Sequence, residues 1–243
     1  MSFAEAWAAV TNVDGWLTKG QGLVLYEAAA ACPPDGRIVE IGSFHGRSTI
    51  VLAVAAQTGV EIVAIDPHAG NDRGPHEIAG YQQAATDDLA KFEANLVATG
   101  VDDRVTHVRE FSNSAHPHVE GDIDVLYIDG AHRYETARAD IKEWGARVKP
   151  GGRLLIHDSF SSVGVTAAIL RELIVSDRFR YVTRSRSLAV YEACSGGSRA
   201  GNAARQLAQL PWFARNLVLK ALLSLGLAKL SSKLGRTPPE WPY

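Results

Sequence analysis

Arg37-Ile38-Val39-Glu40-Ile41-Gly42-Ser43-Phe44-His45-Gly46 decides the fold. The apolar run from Arg37 to Ile41 follows the breaker Pro33-Pro34-Asp35-Gly36, which predicts a short strand. Gly42 and Gly46 let the backbone approach a ligand closely. Residues 47–57 (RSTIVLAVAAQ) are apolar nearly all round, as a buried helix should be. A strand, a glycine-bearing turn and a helix whose first N–H groups face outward make a binding site at the carboxyl end of a strand.

The alternation continues on both sides of this turn. Upstream, residues 3–10 and 20–31 predict two helices. Downstream, Glu61 to Asp66 predicts a second strand, and residues 67–80, dense in glycine and proline, a loop. Tyr81, Ala85, Leu89, Phe92 and Leu96 recur at helical spacing, and Val105 to Val108 predicts a third strand. Ile123 to Ile128 predicts a fourth strand, ending at Asp129-Gly130. Tyr134, Ala137, Ile141, Trp144 and Val148 predict one helix that stops at Pro150-Gly151-Gly152. Arg153 to Ile156 predicts a fifth strand, ending at His157-Asp158. A helix over 163–174 follows, then two strands within 179–193 joined near Ser185-Arg186-Ser187. Strands alternating with helices predict an α/β fold with a mainly parallel sheet and right-handed crossovers. The closing pair, with no helix between, predicts an antiparallel element. Three segments result: N-terminal helices at 1–36, a core at 37–195 and an extension at 196–243.

Composition sets the class. Of 243 residues, 46% are hydrophobic and 21% charged, enough for a real core. A net charge of −2 gives no reason to expect nucleic-acid binding. Cys32 and Cys194 are far apart, so neither a disulfide framework nor a thiolate zinc site is expected, and a reducing, cytoplasmic compartment fits. The N-terminus has no basic region of the signal-peptide kind, and no run of about 18 apolar residues predicts a membrane span.

Glu40 narrows the ligand. An acidic side chain before the first glycine repels a pyrophosphate but suits the ammonium and sulfonium of S-adenosylmethionine (SAM). Asp66, at the end of the second strand, is placed to hydrogen-bond ribose hydroxyls. The alternative is that both carboxylates only cap or pair locally. A dinucleotide enzyme would share Asp66 without favouring Glu40, and the fully spaced G-x-G-x-x-G is absent.

The segments VEIGSFHGRST, VAIDPH, LYIDGAHRYE and KPGGRLLIHDSF, in order across roughly residues 37–193, resemble the class I SAM-dependent methyltransferases. The branch most resembled includes macrocin O-methyltransferase and related bacterial sugar and small-molecule O-methyltransferases. The resemblance implies a Rossmann-like seven-stranded sheet of order 3-2-1-4-5-7-6, last strand antiparallel, with helices on both faces. It implies that Glu40, Gly42, Ser43 and Asp66 contact SAM, with the loop around Glu110-Phe111-Ser112 near the adenine. The full set expected at the cofactor is Glu40, Gly42, Ser43, Gly46, Ser48, Asp66, Ser112 and Asp129. Phe44 stands where the wider superfamily has its middle glycine, which leaves the backbone path there open.

SAM carries its own leaving group, so it is the acceptor hydroxyl that needs activation by a base, a metal or both. Asp129 and His132 follow the fourth strand, and His157 and Asp158 the fifth. Neighbouring strands would gather all four beside the methyl group. His132 is the first choice for the base and His157 the second, with Asp129 and Asp158 orienting them. In some members of the resembled branch, carboxylates at the positions of Asp129 and Asp158 bind Mg²⁺; here His157 would be the third ligand, in place of a carboxylate.

The expected function is methyl transfer to a hydroxyl, of a sugar or glycan precursor such as a methylated mannose polysaccharide, or of another small molecule. Two alternatives stand beside it. One is an NAD(P)-dependent short-chain oxidoreductase, which needs Tyr-x-x-x-Lys; Tyr134 is followed by Arg138 instead. The other is a noncatalytic membrane-associated protein of the SAM fold. His68, Asn71, Asp72, Arg73 and His76 make the 67–80 loop either a polar lid or a plain surface loop. His116-Pro117-His118 reads as a loop. From Arg199 to Arg236 the tail is apolar and basic without an acidic residue, and Pro211-Trp212 fits a helix start. It is expected to pack on the core or on a partner subunit, which favours a homodimer. Covering the acceptor site and peripheral membrane contact through 205–236 remain the other readings.

Overall fold

A computed structural model describes residues 1–69, 82–194 and 196–225. The polar loop residues Asn71, Asp72, Arg73 and His76, the position Tyr81 and the tail from 226 onward lie outside the described residues. Two helices open the chain, α1 (Phe3–Ala9) and α2 (Lys19–Ala30), each started by a capping box, Ser2 with Glu5 and Thr18 with Gln21. Then follow β1 (Arg37–Ile41), α3 (Arg47–Ala55), β2 (Glu61–Ile65), α4 (Gln82–Thr99), β3 (Val105–Val108) and β4 (Ile123–Ile128). The second half adds α5 (Tyr134–Ala139), β5 (Val148–Ile156), α6 (Val163–Glu172), β6 (Phe179–Ser185), β7 (Leu188–Ala193), α7 (Arg199–Leu207) and α8 (Leu210–Ser224).

The seven strands form one sheet in the order β3-β2-β1-β4-β5-β7-β6. The first five are parallel to one another, and β7 runs antiparallel to both β5 and β6. Successive strand residues point to opposite faces, so each strand feeds two cores. Ile38, Ile62, Val125, Tyr127 and Leu155 pack against Leu25, Ile50, Leu52 and Phe92 of α2, α3 and α4. Val39, Val63, Leu126, Ile128 and Leu154 pack against Ala137, Trp144, Val165 and Ile169 on the other side. Each fully buried Leu or Ile contributes about 1.5–3 kcal/mol.

One expected element is different. The helix read from Tyr134 to Val148 ends at Ala139 and continues as a π turn, Asp140–Trp144, and a 3₁₀ turn, Gly145–Arg147. The wider turn brings Asp140 inward together with Ile141 and Trp144, all three buried. The strand expected from Arg153 starts earlier, at Val148, and carries Pro150-Gly151-Gly152 as a bulge. Ile123 pairs with Val148, but Val125 pairs with Arg153. Gly151 supplies the left-handed step, at φ 84°. Asp124 holds the bulge: it accepts from the Arg37 N–H at 2.9 Å and is ion-paired with Lys149.

The hairpin β6–β7 turns on Arg186-Ser187, with Arg186 at φ 53°. Helix α7 is bonded to both strands of this hairpin: Asn202 Oδ1 accepts from Tyr181 N–H of β6 at 2.8 Å, and Tyr191 of β7 donates to Gln206 at 3.2 Å. Among the described residues no helix is long and apolar enough to cross a membrane.

Candidate functional site

The carboxyl ends of β1, β2, β4 and β5 meet at one edge of the sheet. Glu40, one residue before the end of β1, is wholly buried, and its carboxyl oxygens accept from Ser48 Oγ and, at 2.5 Å, from Thr49 Oγ1. Burial pushes its pKa up to about 8 against the two hydroxyl donors, and Asp129 and Asp66 add to the rise. Within the fold Glu40 therefore keeps a proton that the unfolded chain loses above about pH 4.5. Stability should fall as pH rises from there to about 8, by at most about 1.4 kcal/mol per pH unit. Glu40→Gln is expected to flatten that slope in urea titrations run between pH 5 and 8; an unchanged slope would put the proton elsewhere.

The turn after Glu40 explains Phe44. Asp66, at the end of β2, accepts through Oδ2 from the N–H groups of Ser43 and Phe44, both at 2.9 Å, and through Oδ1 from His68 at 2.8 Å. Phe44 takes a glycine-like φ of 46° and stacks on His45, ring centroids 3.7 Å apart. The backbone path of a glycine is thus kept, and the bulky ring is absorbed by stacking. His45 is buried and bonded to Asp88 at 2.8 Å, which ties the turn to α4.

Asp129 ends β4, its N–H bonded to Ile41 C=O at 2.8 Å, and accepts from Tyr127 OH at 2.8 Å. His157 and Asp158 end β5. His157 Nδ1 lies 3.1 Å from Asp129 Oδ1 and 3.5 Å from Asp158 Oδ2. Its Nε2 faces Gln21 Nε2 at 3.2 Å. His132 Nε2 lies 2.6 Å from Asp158 Oδ2. Burial works against the Asp158 charge, yet His157 and His132 hold its carboxyl well below the usual range. Asp158 and Phe160 both sit at positive φ, 55° and 56°, the strain expected where a chain is bent to place functional groups.

A cavity of about 620 Å³ opens at this edge. Of the residues read from the sequence, Gly42, Ser43, Ser48, Asp66, Ser112, Asp129 and His132 line it. Four do not. Glu40 lies behind Ser48, its oxygens occupied. Gly46 caps α3 at φ 85° with its open side against Phe92. His157 is 4% exposed and enclosed by Asp129 and Gln21, so the second choice of base is a buried support. Asp158 sits behind His132. The candidate metal set changes with it: the ligand atoms gathered within 4.8 Å belong to Asp129, His132 and Asp158, without His157.

Other residues at the site were not read from the sequence. Gln21 spans 136 residues to reach His157, and its second N–H donor goes to Ser187 Oγ at 3.0 Å. Asp140 accepts from Ser112 Oγ at 2.6 Å, and burial pushes its pKa up to about 6. The Thr18-x-x-Gln21 capping pattern marks a helix start; its link to the fifth strand is tertiary and left no local signal.

The site fits SAM. Gly42 lets β1 close on the end of β4, since a Cβ there would lie 2.3 Å from Asp129 C=O, and the buried Oγ of Ser43, a residue of the cavity wall, has no protein partner. Carboxylates at Asp66 and Asp129 and the Ser48 hydroxyl suit a ligand with a ribose and a cationic amino acid end.

Known proteins agree with this architecture. Residues 39–159 match a family described as a methyltransferase domain. Uncharacterized protein y4gI of Sinorhizobium fredii (strain NBRC 101917 / NGR234) is 26% identical over 129 residues, 51% of this chain and 13% of that protein. The chain thus spans about an eighth of that curated relative's length. The cofactor-bound protein Rv0187 from MTB superposes with TM-score 0.58 at 20% identity, over 80% of this chain and 89% of that one. The O-methyltransferase TomG from Streptomyces achromogenes, involved in tomaymycin synthesis and solved with SAM, gives 0.51 at 17%, over 79% and 89%. Solved structures of this fold also include an rRNA methylase, so the fold alone leaves the acceptor open. The sheet order and the matched domain place this chain among the class I SAM-dependent methyltransferases.

Proposed function

We propose that the chain methylates a hydroxyl of a small-molecule or oligosaccharide acceptor, with His132 as the general base. The observation that carries this reading is the His132–Asp158 pair, 2.6 Å apart at the cavity wall beside Asp129. In the dyad, Nε2–H donates to the carboxylate, which leaves Nδ1 as the nitrogen able to take a proton. SAM supplies a methyl group on a good leaving group. The acceptor oxygen forms the new C–O bond as the S–CH₃ bond breaks, and its proton passes to His132 Nδ1. Asp158 stabilises the imidazolium that results, and Asp129 and Ser48 orient the cationic end of the methyl donor.

A sugar acceptor is supported by the rim. Trp16 is 45% exposed and lies 5.2 Å from Phe44, a flat apolar face next to the Asp14 carboxylate. Aromatic faces with nearby carboxylates suit the C–H and O–H sides of a sugar ring.

Asp129, His132 and Asp158 are also the residues that would hold a divalent ion. One nitrogen in the set suits Mn²⁺ or Zn²⁺ better than Mg²⁺, which prefers oxygen ligands. The direct His132–Asp158 contact favours the metal-free dyad. Transfer from methyl-labelled SAM to sugars, phenols and macrolides, with EDTA or with Mg²⁺ or Mn²⁺ added, tests both points. Labelled methyl ether is expected, with turnover in EDTA within about twofold of that in metal. Activity that disappears in EDTA and returns with a metal would assign the three residues to the ion. No labelled product from any hydroxyl would remove the O-methyltransferase reading.

A further inference from the structure

Helix α8 is built inside out. Its polar groups bond inward: Asn216 is buried and donates to Phe160 C=O at 3.1 Å, and Lys220 Nζ donates to Ser161 C=O at 3.0 Å. Leu219 is buried beside them. The outward face carries Ala214, Leu217, Val218, Ala221 and Leu225, all exposed. These positions recur at three- and four-residue steps, so they form one stripe along the helix. The inward hydrogen bonds fix the helix rotation, and the stripe cannot turn into the core.

Charge adds a second signal. Between Glu192 and Glu240 there is no acidic residue and there are seven arginines and lysines. The segment therefore carries +7, while the rest of the chain carries −9. On α7, Leu207 is 45% exposed and Arg205 is exposed as well. Four of the seven basic residues, Arg199, Arg205, Arg215 and Lys220, are among the described residues, Arg199 ion-paired with Asp177 and Lys220 turned inward; the net charge of the segment as a whole attracts it to an anionic surface. A second copy of the chain is a poorer occupant. Stable protein interfaces use roughly 20–30 residues a side, and among the described residues this stripe offers five, two of them alanine.

We infer that the outer face of α8 docks peripherally on an anionic bilayer surface. Apolar contact alone would be marginal, and the basic residues supply the second element that lasting attachment needs. Because α8 is bonded to Phe160 and Ser161, just past Asp158, docking holds the catalytic edge of the sheet near the bilayer.

Flotation of the full chain with phosphatidylcholine vesicles, with and without phosphatidylglycerol, tests this. At least about tenfold more protein is expected to float with the anionic vesicles, an excess that disappears in about 0.5 M salt. Leu217→Glu with Val218→Glu should reduce flotation to the level of phosphatidylcholine alone while SAM binding, followed by calorimetry, is unchanged. Arg205→Glu keeps the apolar face intact and should cut flotation several-fold, which covers the case in which the double variant fails to fold. Equal partition into both vesicle types, or no flotation, overturns the inference. So does a dimer, seen by light scattering, that the double variant dissociates, since the stripe would then be a subunit interface.

Discussion

Replacing His132 by alanine is expected to lower turnover by about 10²- to 10⁴-fold while leaving the SAM dissociation constant within about twofold. The ring lines the cavity, 27% exposed, whereas His157 is enclosed. Of these two histidines, His132 is the one that lines the cavity. Its own placement is held from behind: a Cβ on Gly164, in the first turn of α6, would lie 2.2 Å from His132 C=O. Asp158 holds it from the side, at the strained turn after β5. Single-turnover measurement at saturating SAM separates chemistry from binding. If the alanine variant turns over at the normal rate, the proton leaves by another route, and His132 is then a wall residue of the cavity. Asp158→Asn should reproduce a large part of the loss, because the amide cannot stabilise the imidazolium.

The second large effect is structural. Gly42→Ala should destabilise the fold by about 2–5 kcal/mol and abolish measurable SAM binding. Gly42 sits at φ 87°, a conformation that disfavours any side chain, and its missing Cβ is the space that lets β1 and β4 approach. An added methyl would meet Asp129 C=O, Asp129 C and Gly130 N at 2.3–2.8 Å, all backbone atoms that cannot rotate away. The displacement would push Asp129 out of line with both Tyr127 and His157. Chemical denaturation gives the stability change, and calorimetry with SAM the binding. A variant as stable as the parent would mean that the two strands separate without cost, contrary to this packing.

Much of this was legible in residues close together in sequence. Arg37 to Gly46 shows a strand, a turn and a helix because the code there is local: apolar run, glycine, apolar helix. Val105 to Val108 and Ile123 to Ile128 were legible as strands for the same reason. The π turn at Asp140–Trp144 was not, because the spacing of Tyr134, Ala137, Ile141, Trp144 and Val148 fits an unbroken helix equally well. What selects the wider turn is tertiary, including the Ser112–Asp140 bond. Pro150-Gly151-Gly152 reads as a terminator, and only Asp124 on the neighbouring strand makes it a bulge. At the site, the strand ends bring Asp66, Asp129 and His132 to the cavity wall, with Asp158 against His132. Spacing does not give the direction each side chain faces: Glu40 stands behind Ser48, and His157 is enclosed by Asp129 and Gln21 and does not line the cavity. Gln21 was out of reach of any local pattern.

The position of β7 sets an order of assembly. It is the last of the seven described strands to be synthesised, yet it lies inside the sheet, between β5 and β6. A nascent chain that has emerged only through α6 leaves β5 as an open edge, with a row of unpaired N–H and C=O groups available to another chain. That edge is closed only when residues 188–193 arrive and pair with Arg153 to Ile156. Shortened forms ending before Ala193 should therefore precipitate even though every strand that borders the cavity is already present, whereas those ending after it should keep the sheet sealed.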